Sequence, residues 1–350
     1  MGADRFLHWN QRLDNMNENN SSLKTGISVV IPSWNGIPLL RACLPSVRDA
    51  LKQWGGVWEI IVVDDAGSDG TPEYLAREHP DARCECLSRR GGFVAAVNRG
   101  LEAVRHEFCC LLNNDMTVAP DFFIQLMDDF RDGRVFAVSA KAFETGAGKL
   151  NIGQRLRRIE NNEIQGIGDE RDAPGTCYTY YASGGASMFR TRIFRGLGGL
   201  DSLFAPFYVE DADLSYRAWK RGWIVLFEPG AVAHHIGSAS MGVKNAHALK
   251  RLLNKFRVAV IIQRNAFLFL VKNITDPDLW AAHKRRFFTR WLLAVVRLQA
   301  PHALGLIAAL PRLSAALRRK RIEVRESTVP DRQVFEILNS TYTGKQRDLL

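Results

Sequence analysis

The chain has 350 residues, 46% of them hydrophobic and 24% charged, which is ordinary for a globular protein of one large domain or two. The formal net charge of +10 lies in the C-terminal third, because residues 241–350 hold 21 Lys and Arg against 7 Asp and Glu. This basic region predicts an anionic partner, but no nucleic-acid recognition motif accompanies it, and neither a signal peptide nor an uninterrupted apolar span of about 20 residues is present. We therefore expect a protein that neither binds nucleic acid nor spans a membrane.

Short apolar runs alternate with amphipathic patterns along the N-terminal part of the chain. Residues 1–24, rich in Asn and Ser, predict a flexible arm. Strands are predicted at about 27–32, 58–63, 83–87, 108–112 and 135–139. Helical patterns lie at about 39–47, 93–104 and 120–130. Strands joined to helices by short loops predict a parallel sheet with helices on both faces.

Polar clusters follow three of these strands. They are Pro32-Ser33-Trp34-Asn35, Asp64-Asp65 and Asn113-Asn114-Asp115. In open α/β sheets ligands bind at the carboxyl ends of the strands, so we expect the three clusters to converge on one edge of the sheet.

The middle of the chain carries weaker signals. Residues 141–177 are rich in Gly, Asn and Glu and are predicted to be an irregular, flexible region. Strands are predicted at 177–182, before a run of small residues, and at 223–227. The six cysteines lack the spacing of a metal site, which indicates reduced thiols in a cytosolic protein.

Three carboxylates, Glu210, Asp211 and Asp213, crowd the start of a predicted amphipathic helix. Like charges this close repel, and burial raises the pKa of at least one of them, as happens where a site needs a base or a metal ligand. Acidic residues at a helix N-terminus also interact favourably with the macrodipole, so plain capping is the alternative. The acidic clusters upstream favour a functional role.

Five segments carry a family resemblance. They are 29–35 (Val-Val-Ile-Pro-Ser-Trp-Asn), 61–71 (Ile-Val-Val-Asp-Asp-Ala-Gly-Ser-Asp-Gly-Thr), 89–100 (Arg-Arg-Gly-Gly-Phe-Val-Ala-Ala-Val-Asn-Arg-Gly), 111–115 (Leu-Leu-Asn-Asn-Asp) and 210–217 (Glu-Asp-Ala-Asp-Leu-Ser-Tyr-Arg). In this order and spacing they resemble glycosyltransferase family 2. The resemblance implies a Rossmann-like α/β GT-A fold, a mostly parallel sheet flanked by helices, at about 25–240. A basic, amphipathic helical region would follow at 241–350.

The resemblance implies that the first two clusters hold a nucleotide-sugar donor. Asp64 or Asp65 would accept the N3–H of uracil or thymine, and the choice between them is open. Arg90 would contact phosphate or sugar, with a solvated arginine before a helix as an equal alternative. The expected donor-binding residues are Pro32, Trp34, Asn35, Asp64, Asp65, Arg90 and Gly92.

A divalent cation, Mg²⁺ or Mn²⁺, is also implied, because charge develops on the departing diphosphate. The family's Asp-x-Asp motif stands here as Asn113-Asn114-Asp115, so an amide replaces the first carboxylate. Asp115 is the expected metal ligand, together with His235, which is favoured over His234. A plain turn after a strand is the alternative reading of the Asn-Asn-Asp segment.

The family's catalytic base falls on Asp211, which would deprotonate the acceptor hydroxyl in a single inverting displacement. Glu210 and Asp213 would raise the pKa of Asp211 toward neutrality. The expected sugar and acceptor contacts are Asn113, Asn114, Gly184, Gly185, Glu210 and Asp213, with a structural role as the alternative for Glu210 and Asp213.

The resemblance implies an inverting, metal-assisted glycosyltransferase that uses a UDP- or dTDP-sugar and a lipid-linked or cell-envelope glycan acceptor. The likeness to bacterial rhamnosyltransferase-like members of the family implies dTDP-rhamnose as the specific donor. The basic tail of the chain predicts a peripheral position on the inner face of the cytoplasmic membrane, with a helical subdomain packed on the core as the alternative. A sugar nucleotidyltransferase and a non-catalytic membrane-associated scaffold are the rival functions. The first would be expected to carry a Gly-rich phosphate loop after the first strand, which residues 32–36 do not resemble.

Overall fold

The computed structural model describes residues 23–146, 148–166, 172–236, 248–296 and 300–342. The predicted arm at 1–24 lies outside these ranges except for its last two residues. The strands are β1 (Lys24–Ser33), β2 (Trp58–Asp64), β3 (Ala82–Cys86), β4 (His106–Leu112), β5 (Met116–Val118), β6 (Val135–Glu144), β7 (Leu150–Ile152), β8 (Arg157–Glu160), β9 (Glu163–Gly166), β10 (Cys177–Tyr178), β11 (Ala186–Arg190) and β12 (Ile224–His235). The helices are α1 (Ile37–Trp54), α2 (Thr71–Glu78), α3 (Phe93–Ala103), α4 (Phe122–Asp128), α5 (Thr191–Gly196), α6 (Glu210–Lys220), α7 (Ala248–Asn273), α8 (Pro277–Val296), α9 (Ala300–Glu326) and α10 (Asp331–Leu338).

A mixed, mostly parallel sheet forms the centre of the fold. Its order is β10-β12-β6-β11-β4-β1-β2-β3, with β5 added to β12 and β7 to β6. The neighbours β3, β2, β1 and β4 are parallel, whereas β11 runs antiparallel between β4 and β6. Ile27, Val29, Val30 and Ile31 of β1 are fully buried, as a strand covered by helices on both faces requires. The predicted α/β fold is confirmed.

The region predicted to be irregular, 141–177, contains ordered strands, so that prediction was wrong. β6 continues to Glu144, and β8 and β9 form a separate two-stranded hairpin. The hairpin was missed because only Ile159 and Ile164 pack against the core, so its sequence lacks a continuous apolar run. The strand predicted at 177–182 is limited to β10, and α2 was not predicted at all.

The C-terminal helices pack against the sheet domain through buried ion pairs on α6. Lys272 of α7 contacts Asp213 at 2.6 Å, and Arg221, the residue directly after α6, contacts Glu323 of α9 at 2.7 Å. Lys220 contacts Asp331 of α10 at 2.6 Å. Because α6 also carries the predicted base Asp211, these ion pairs hold the helix on which the candidate site is built.

Candidate active site

The first two polar clusters meet where parallel strands end. Ser33 lies opposite Asp64 in the β1–β2 register, and the backbone N–H of Asp65 donates to the carbonyl of Ser33 at 2.8 Å. Asn114, just past β4, donates to the Ser33 hydroxyl at 3.0 Å. The convergence predicted from the sequence is therefore present, and Asn114 itself ties two strand ends together.

The two neighbouring aspartates have different surroundings. Asp65 accepts hydrogen bonds from the backbone N–H groups of Gly91, at 2.6 Å, and Gly92, at 2.8 Å, one on each carboxylate oxygen. Both oxygens of Asp64 face a single donor, the N–H of Gly67, at 3.1 and 3.2 Å. Burial raises the pKa of Asp64. Asp65 thus anchors the Gly91–Gly92 loop, while Asp64 keeps more capacity to accept a hydrogen bond from a ligand.

An exposed aromatic platform stands beside these aspartates. Trp34 is 44% exposed, and the Arg90 guanidinium lies 3.4 Å from its ring centroid. Asn35 accepts from the backbone N–H of Ser68 at 2.7 Å, which holds the neighbouring turn. Pro32, half-buried within β1, supports the strand end. The arrangement offers a flat face for a nucleobase with a cation next to it.

The Gly91–Gly92 loop reaches the loop before the predicted base. Gly92 has φ +81°, and a Cβ there would lie 2.6 Å from Pro206 Cβ, so only glycine fits. The N–H of Val94 donates to the carbonyl of Pro206 at 3.2 Å. The Gly91–Gly92 loop is therefore in direct contact with residues 204–209, the loop before the predicted base, here called the base loop.

Asp211 sits in the first turn of α6. Its carboxylate accepts from the N–H of Ala212 at 2.8 Å and from that of Gly184 at 3.4 Å. Burial raises the pKa of Asp211, and the nearby positive charge of Arg155 partly opposes that rise. The pKa of Asp211 is therefore raised in the direction that the sequence predicted, and burial is the largest cause. A buried carboxylate with a raised pKa is suited to accept a proton at neutral pH.

The two carboxylates that flank Asp211, those of Glu210 and Asp213, have opposite pKa shifts. Glu210 is buried beside Asp211, and burial followed by the charge of Asp211 holds its pKa well above the ordinary value. Burial alone would raise the pKa of Asp213 too, but Lys272 and Arg217 bring it below the ordinary value. Asp213 is fully buried and accepts from Arg217 at 2.8 Å, Lys272 at 2.6 Å and Asn273 at 2.8 Å. Predicted as an acceptor contact, Asp213 instead anchors α7 to α6.

The predicted metal ligands, although 120 residues apart, are adjacent. β5 pairs with β12 and brings His235 Nε2 to 3.1 Å from Asp115 Oδ2. The hydrogen bond to Asp115 raises the pKa of His235, whereas exposed His234 lies beside Phe143. Within the described residues no group of three or more His, Cys, Asp and Glu could hold a metal. One carboxylate and one imidazole suit Mn²⁺ or Mg²⁺ only if diphosphate and water complete the coordination.

Asn113 connects the Asp115–His235 pair to the predicted base, Asp211. The N–H of Asn113 donates to the carbonyl of Gly185 at 2.9 Å, and its side-chain amide lies against the Gly185 backbone. Gly184, the preceding residue, donates to Asp211. Asp65, Asp115 and Asp211 thus lie on loops that contact one another, and Gly184 and Gly185 connect the loop of Asp115 and His235 to Asp211.

A further set of residues holds the base loop, and the sequence analysis missed it. Fully buried Asn265 of α7 donates through Nδ2 to the carbonyls of Phe204 at 2.8 Å, Phe207 at 3.0 Å and Tyr208 at 2.8 Å. Arg264 and Arg312 both donate to the carbonyl of Ala205. An asparagine within an apolar helical run was the available signal, since a buried amide must find partners.

Asp211 also borders a cavity of about 760 Å³. The cavity lies between the β8–β9 hairpin, the loop before α6, and helices α7 and α8. Asp64, Asp65 and Asp115 do not line it. The predicted base therefore borders a cavity whose size suits small-molecule ligands and which does not include the aspartates that follow β2 and β4.

In sequence and in fold, the chain is similar to known glycosyltransferases. Residues 28–198 match the family described as glycosyl transferase family 2. N-acetylglucosaminyl-diphospho-decaprenol L-rhamnosyltransferase of Mycobacterium tuberculosis is 23% identical over 236 residues, covering 60% of this chain and 76% of that protein. Other relatives are matched over only 27% to 42% of their own length.

Two solved structures share the fold. TarS 1–349 of S. aureus in complex with UDP-GlcNAc has a TM-score of 0.54 at 13% identity, covering 89% of this chain and 91% of that one. The mannosyltransferase PcManGT of Pyrobaculum calidifontis, in complex with GDP-Man and Mn²⁺, has a TM-score of 0.50 at 15% identity, covering 93% and 97%. At these identities the likeness concerns the fold.

Proposed function

We propose that this chain, whose residues 28–198 match glycosyltransferase family 2, is a nucleotide-sugar glycosyltransferase that transfers a sugar to an acceptor hydroxyl with inversion, using Asp211 as the base. The observation that carries the proposal is the contact between loops. Asp65 anchors a glycine loop that touches the base loop, and Asp211 accepts from Gly184 beside the Asp115–His235 pair.

The geometry supports one displacement. Asp211 takes the proton of the acceptor hydroxyl while the acceptor oxygen bonds to the anomeric carbon, and the nucleoside diphosphate departs from the opposite face. The raised pKa of Asp211 makes its carboxylate a competent base near neutral pH. A divalent cation held by Asp115 and His235 would neutralise the charge of the departing diphosphate. A single attack with one base inverts the anomeric centre.

For the donor we propose a uracil or thymine nucleotide. Asp64 is the residue assigned to the base N3–H, because both oxygens of Asp65 already accept backbone hydrogen bonds. Trp34 would stack on the base, and Arg90 would leave the ring to contact phosphate. The name of the mycobacterial relative supports rhamnose as the donor sugar and a lipid-linked acceptor.

The test is a screen of purified protein against UDP-, dTDP- and GDP-sugars with Mn²⁺, with Mg²⁺ and with EDTA. Cation-dependent thermal stabilisation and slow donor hydrolysis are expected with a UDP- or dTDP-sugar. A sugar nucleotidyltransferase would instead form a nucleotide sugar from nucleoside triphosphate and sugar phosphate. A non-catalytic scaffold would hydrolyse no donor, and either result would overturn the proposal.

We also propose that the C-terminal helices rest on an anionic membrane. Most exposed large apolar side chains lie on them: Leu252, Leu253, Phe256, Phe288, Leu292, Leu304, Ile307, Leu310, Leu317, Ile322 and Val324. Residues 250–257 interleave such side chains with four exposed Lys and Arg and no acidic residue. This pairing of apolar and basic side chains suits the anionic inner leaflet of a cytoplasmic membrane.

Of the described helices, Ala300–Glu326 alone is long and apolar enough to cross a bilayer by length and composition. Arg312 in this helix donates to the carbonyls of Leu203 and Ala205, so the helix is docked on the base loop. These contacts favour a peripheral position over a spanning one.

Flotation with lipid vesicles tests whether the C-terminal helices bind an anionic membrane. Binding to phosphatidylglycerol vesicles that weakens with salt is expected, with little binding to phosphatidylcholine. Phe288→Ser should reduce binding, whereas Val57→Ser, at a similarly exposed residue in the loop before β2 and outside the C-terminal helices, should not. No binding to anionic vesicles at low salt, or equal loss in both variants, would refute the membrane surface.

A further inference from the structure

Two cysteines of β3 bring their sulfur atoms together at the edge of the sheet. Cys84 Sγ and Cys86 Sγ lie 3.8 Å apart. β3 is the terminal strand of the sheet and pairs with β2 on its inner side. Cys86 is exposed and Cys84 is half-buried, so a solute can reach the pair from the solvent. The proposed transfer reaction uses neither thiol.

The alternation of side chains along β3 explains why the two sulfur atoms meet. Successive side chains of a strand point to opposite faces of the sheet, so residues 84 and 86 share one face. Glu85, between them, pairs with Arg99 of α3 at 2.8 Å on the other face. The face that carries the two cysteines is therefore separate from this ion pair.

The separation of the two sulfur atoms fits a single tetrahedral cation. Two zinc–sulfur bonds of about 2.3 Å at the tetrahedral angle place their sulfur atoms about 3.8 Å apart. A disulfide requires Cβ atoms within about 4.5 Å of each other, whereas residues two apart on a strand are separated by about 6.6 Å. The pair can therefore hold a cation with the backbone as it stands, but closing a disulfide would distort β3.

The electrostatics of the pair also favour a cation. Burial raises the pKa of Cys84 to about 12, and the charge of Cys86 adds to the rise because two adjacent thiolates repel each other. A cation bound between the thiolates removes this repulsion and displaces their protons, so its affinity should increase with pH. Thiolates are soft ligands that select Zn²⁺, whereas Mg²⁺ and Mn²⁺ take oxygen ligands.

We propose that Cys84 and Cys86 bind a thiophilic divalent cation such as Zn²⁺ through both thiolates, with water completing the coordination. Across the part of the chain that the structure describes, no group of three or more His, Cys, Asp and Glu could hold a metal, so the protein supplies two ligands and the other positions stay open. The site differs from the Asp115–His235 pair, whose carboxylate and imidazole suit Mn²⁺ or Mg²⁺. The inference does not depend on the proposed glycosyl transfer.

The pair lies next to one of the aspartates proposed for the donor. Cys86 is opposite Asp64 in the β2–β3 register, and the N–H of Leu87 donates to the carbonyl of Asp64 at 2.9 Å. A cation that bridges two side chains of one strand holds that strand extended. We therefore expect occupancy to stabilise the end of β3 against β2 and to slow hydrogen exchange of the Leu87 amide.

β3 itself supplies a matched control. Cys84→Ser and Cys86→Ser each remove one thiol and leave a side chain of similar size. The double variant Glu85→Cys/Cys86→Ser keeps two cysteines in the strand but places the second on the face of Arg99. Because Cys86 is exposed, Cys86→Ser should melt at the temperature of wild type.

The probe is Co²⁺, added to the full chain kept reduced with a phosphine. Thiolates bound to Co²⁺ give a near-ultraviolet charge-transfer absorption that oxygen and nitrogen ligands do not give. A stoichiometric amount of Co²⁺ should produce this absorption in wild type, Zn²⁺ should abolish it, and excess Mg²⁺ should leave it unchanged. The affinity should fall at least about 100-fold in Cys84→Ser, in Cys86→Ser and in the double variant.

Three results would overturn the inference. Unchanged absorption in Cys84→Ser and Cys86→Ser would place the cation on other cysteines. Equal affinity in wild type and in Glu85→Cys/Cys86→Ser would mean that the shared face of β3 is not needed. Loss of the absorption in excess Mg²⁺ would indicate competition for a site of oxygen ligands. Donor hydrolysis with Mg²⁺ uses neither cysteine and would survive each of these results, so they leave the glycosyl transfer itself standing.

Discussion

Replacing Asn265 tests whether the C-terminal helices set the geometry of the base. The Asn265 amide holds three carbonyls of the loop before Asp211. In that loop Tyr208 and Val209 have φ of +71° and +75°, a left-handed backbone that non-glycine residues adopt only when the surroundings enforce it. In Asn265→Leu the two N–H donors are lost, and each orphaned buried carbonyl costs about 1–3 kcal/mol. We expect the loop to relax rather than bear that cost.

A displacement of Asp211 by about 1 Å is enough to lower kcat on the order of 100-fold. Donor-nucleotide affinity should fall much less than kcat, because Asn265 hydrogen-bonds to the loop before Asp211 and not to Asp64, Asp65 or Trp34. The assay is steady-state transfer combined with nucleotide binding, both performed well below the melting temperature. The separation of kcat from donor affinity marks a positioning residue.

The matched control is Glu323→Gln. It leaves buried Arg221 without its charged partner, which costs about 3–5 kcal/mol of stability but does not touch the base loop. Its kcat should remain near wild type. If Asn265→Leu and Glu323→Gln lose stability and kcat in the same proportion, Asn265 only holds the fold together and the positioning argument is refuted.

Three further predictions concern titration and metal. Transfer needs Asp211 deprotonated, so the rate should fall as pH drops through its raised pKa; Arg155→Gln removes a charge that lowers this pKa and should move the acidic limb of the pH–rate profile upward, whereas an unmoved limb contradicts the assignment. His235→Ala should raise the Mn²⁺ concentration for half-maximal activity about tenfold or more, and an unchanged metal titration would exclude His235 as a ligand. Burial lowers the pKa of His106 below its ordinary 6.5, so its contribution to stability is full above pH 6.5 and declines below it; the melting temperature of His106→Gln should therefore fall less than that of wild type between pH 7 and pH 5, and parallel curves would contradict this.

The strands and the convergence of the clusters were accessible from the sequence for a physical reason. Strands buried on both faces, such as β1 and β4, read as continuous apolar runs, and their carboxyl ends must meet at one edge. The placement of Asp211 and the Asp115–His235 pairing came from motif likeness, because no local pattern links residues 120 positions apart. In the structure Asp211 lies in the first turn of α6, and His235 Nε2 lies 3.1 Å from Asp115 Oδ2.

The roles of some side chains could not be predicted from the sequence, because they depend on partners far away in the chain. Asp213 looked like a member of an acidic cluster, yet Lys272, about 60 residues downstream, neutralises its charge, and Asn273 donates a hydrogen bond to it. The choice between Asp64 and Asp65 as the residue that binds the nucleobase was open in the sequence, and the structure adds that the backbone N–H groups of Gly91 and Gly92 each donate to one oxygen of Asp65. Tertiary pairing of this kind leaves no periodicity in the chain, so side-chain roles are harder to predict than elements.

The most direct test of the central claim is the turnover of Asp211→Asn with the donor identified by the nucleotide-sugar screen. The substitution keeps the shape of the side chain but removes the base. The account predicts a loss of transfer on the order of 100- to 10,000-fold, with nucleotide affinity and melting temperature preserved. Transfer at the wild-type rate in Asp211→Asn would contradict the account, because the proton of the acceptor hydroxyl would then be taken elsewhere.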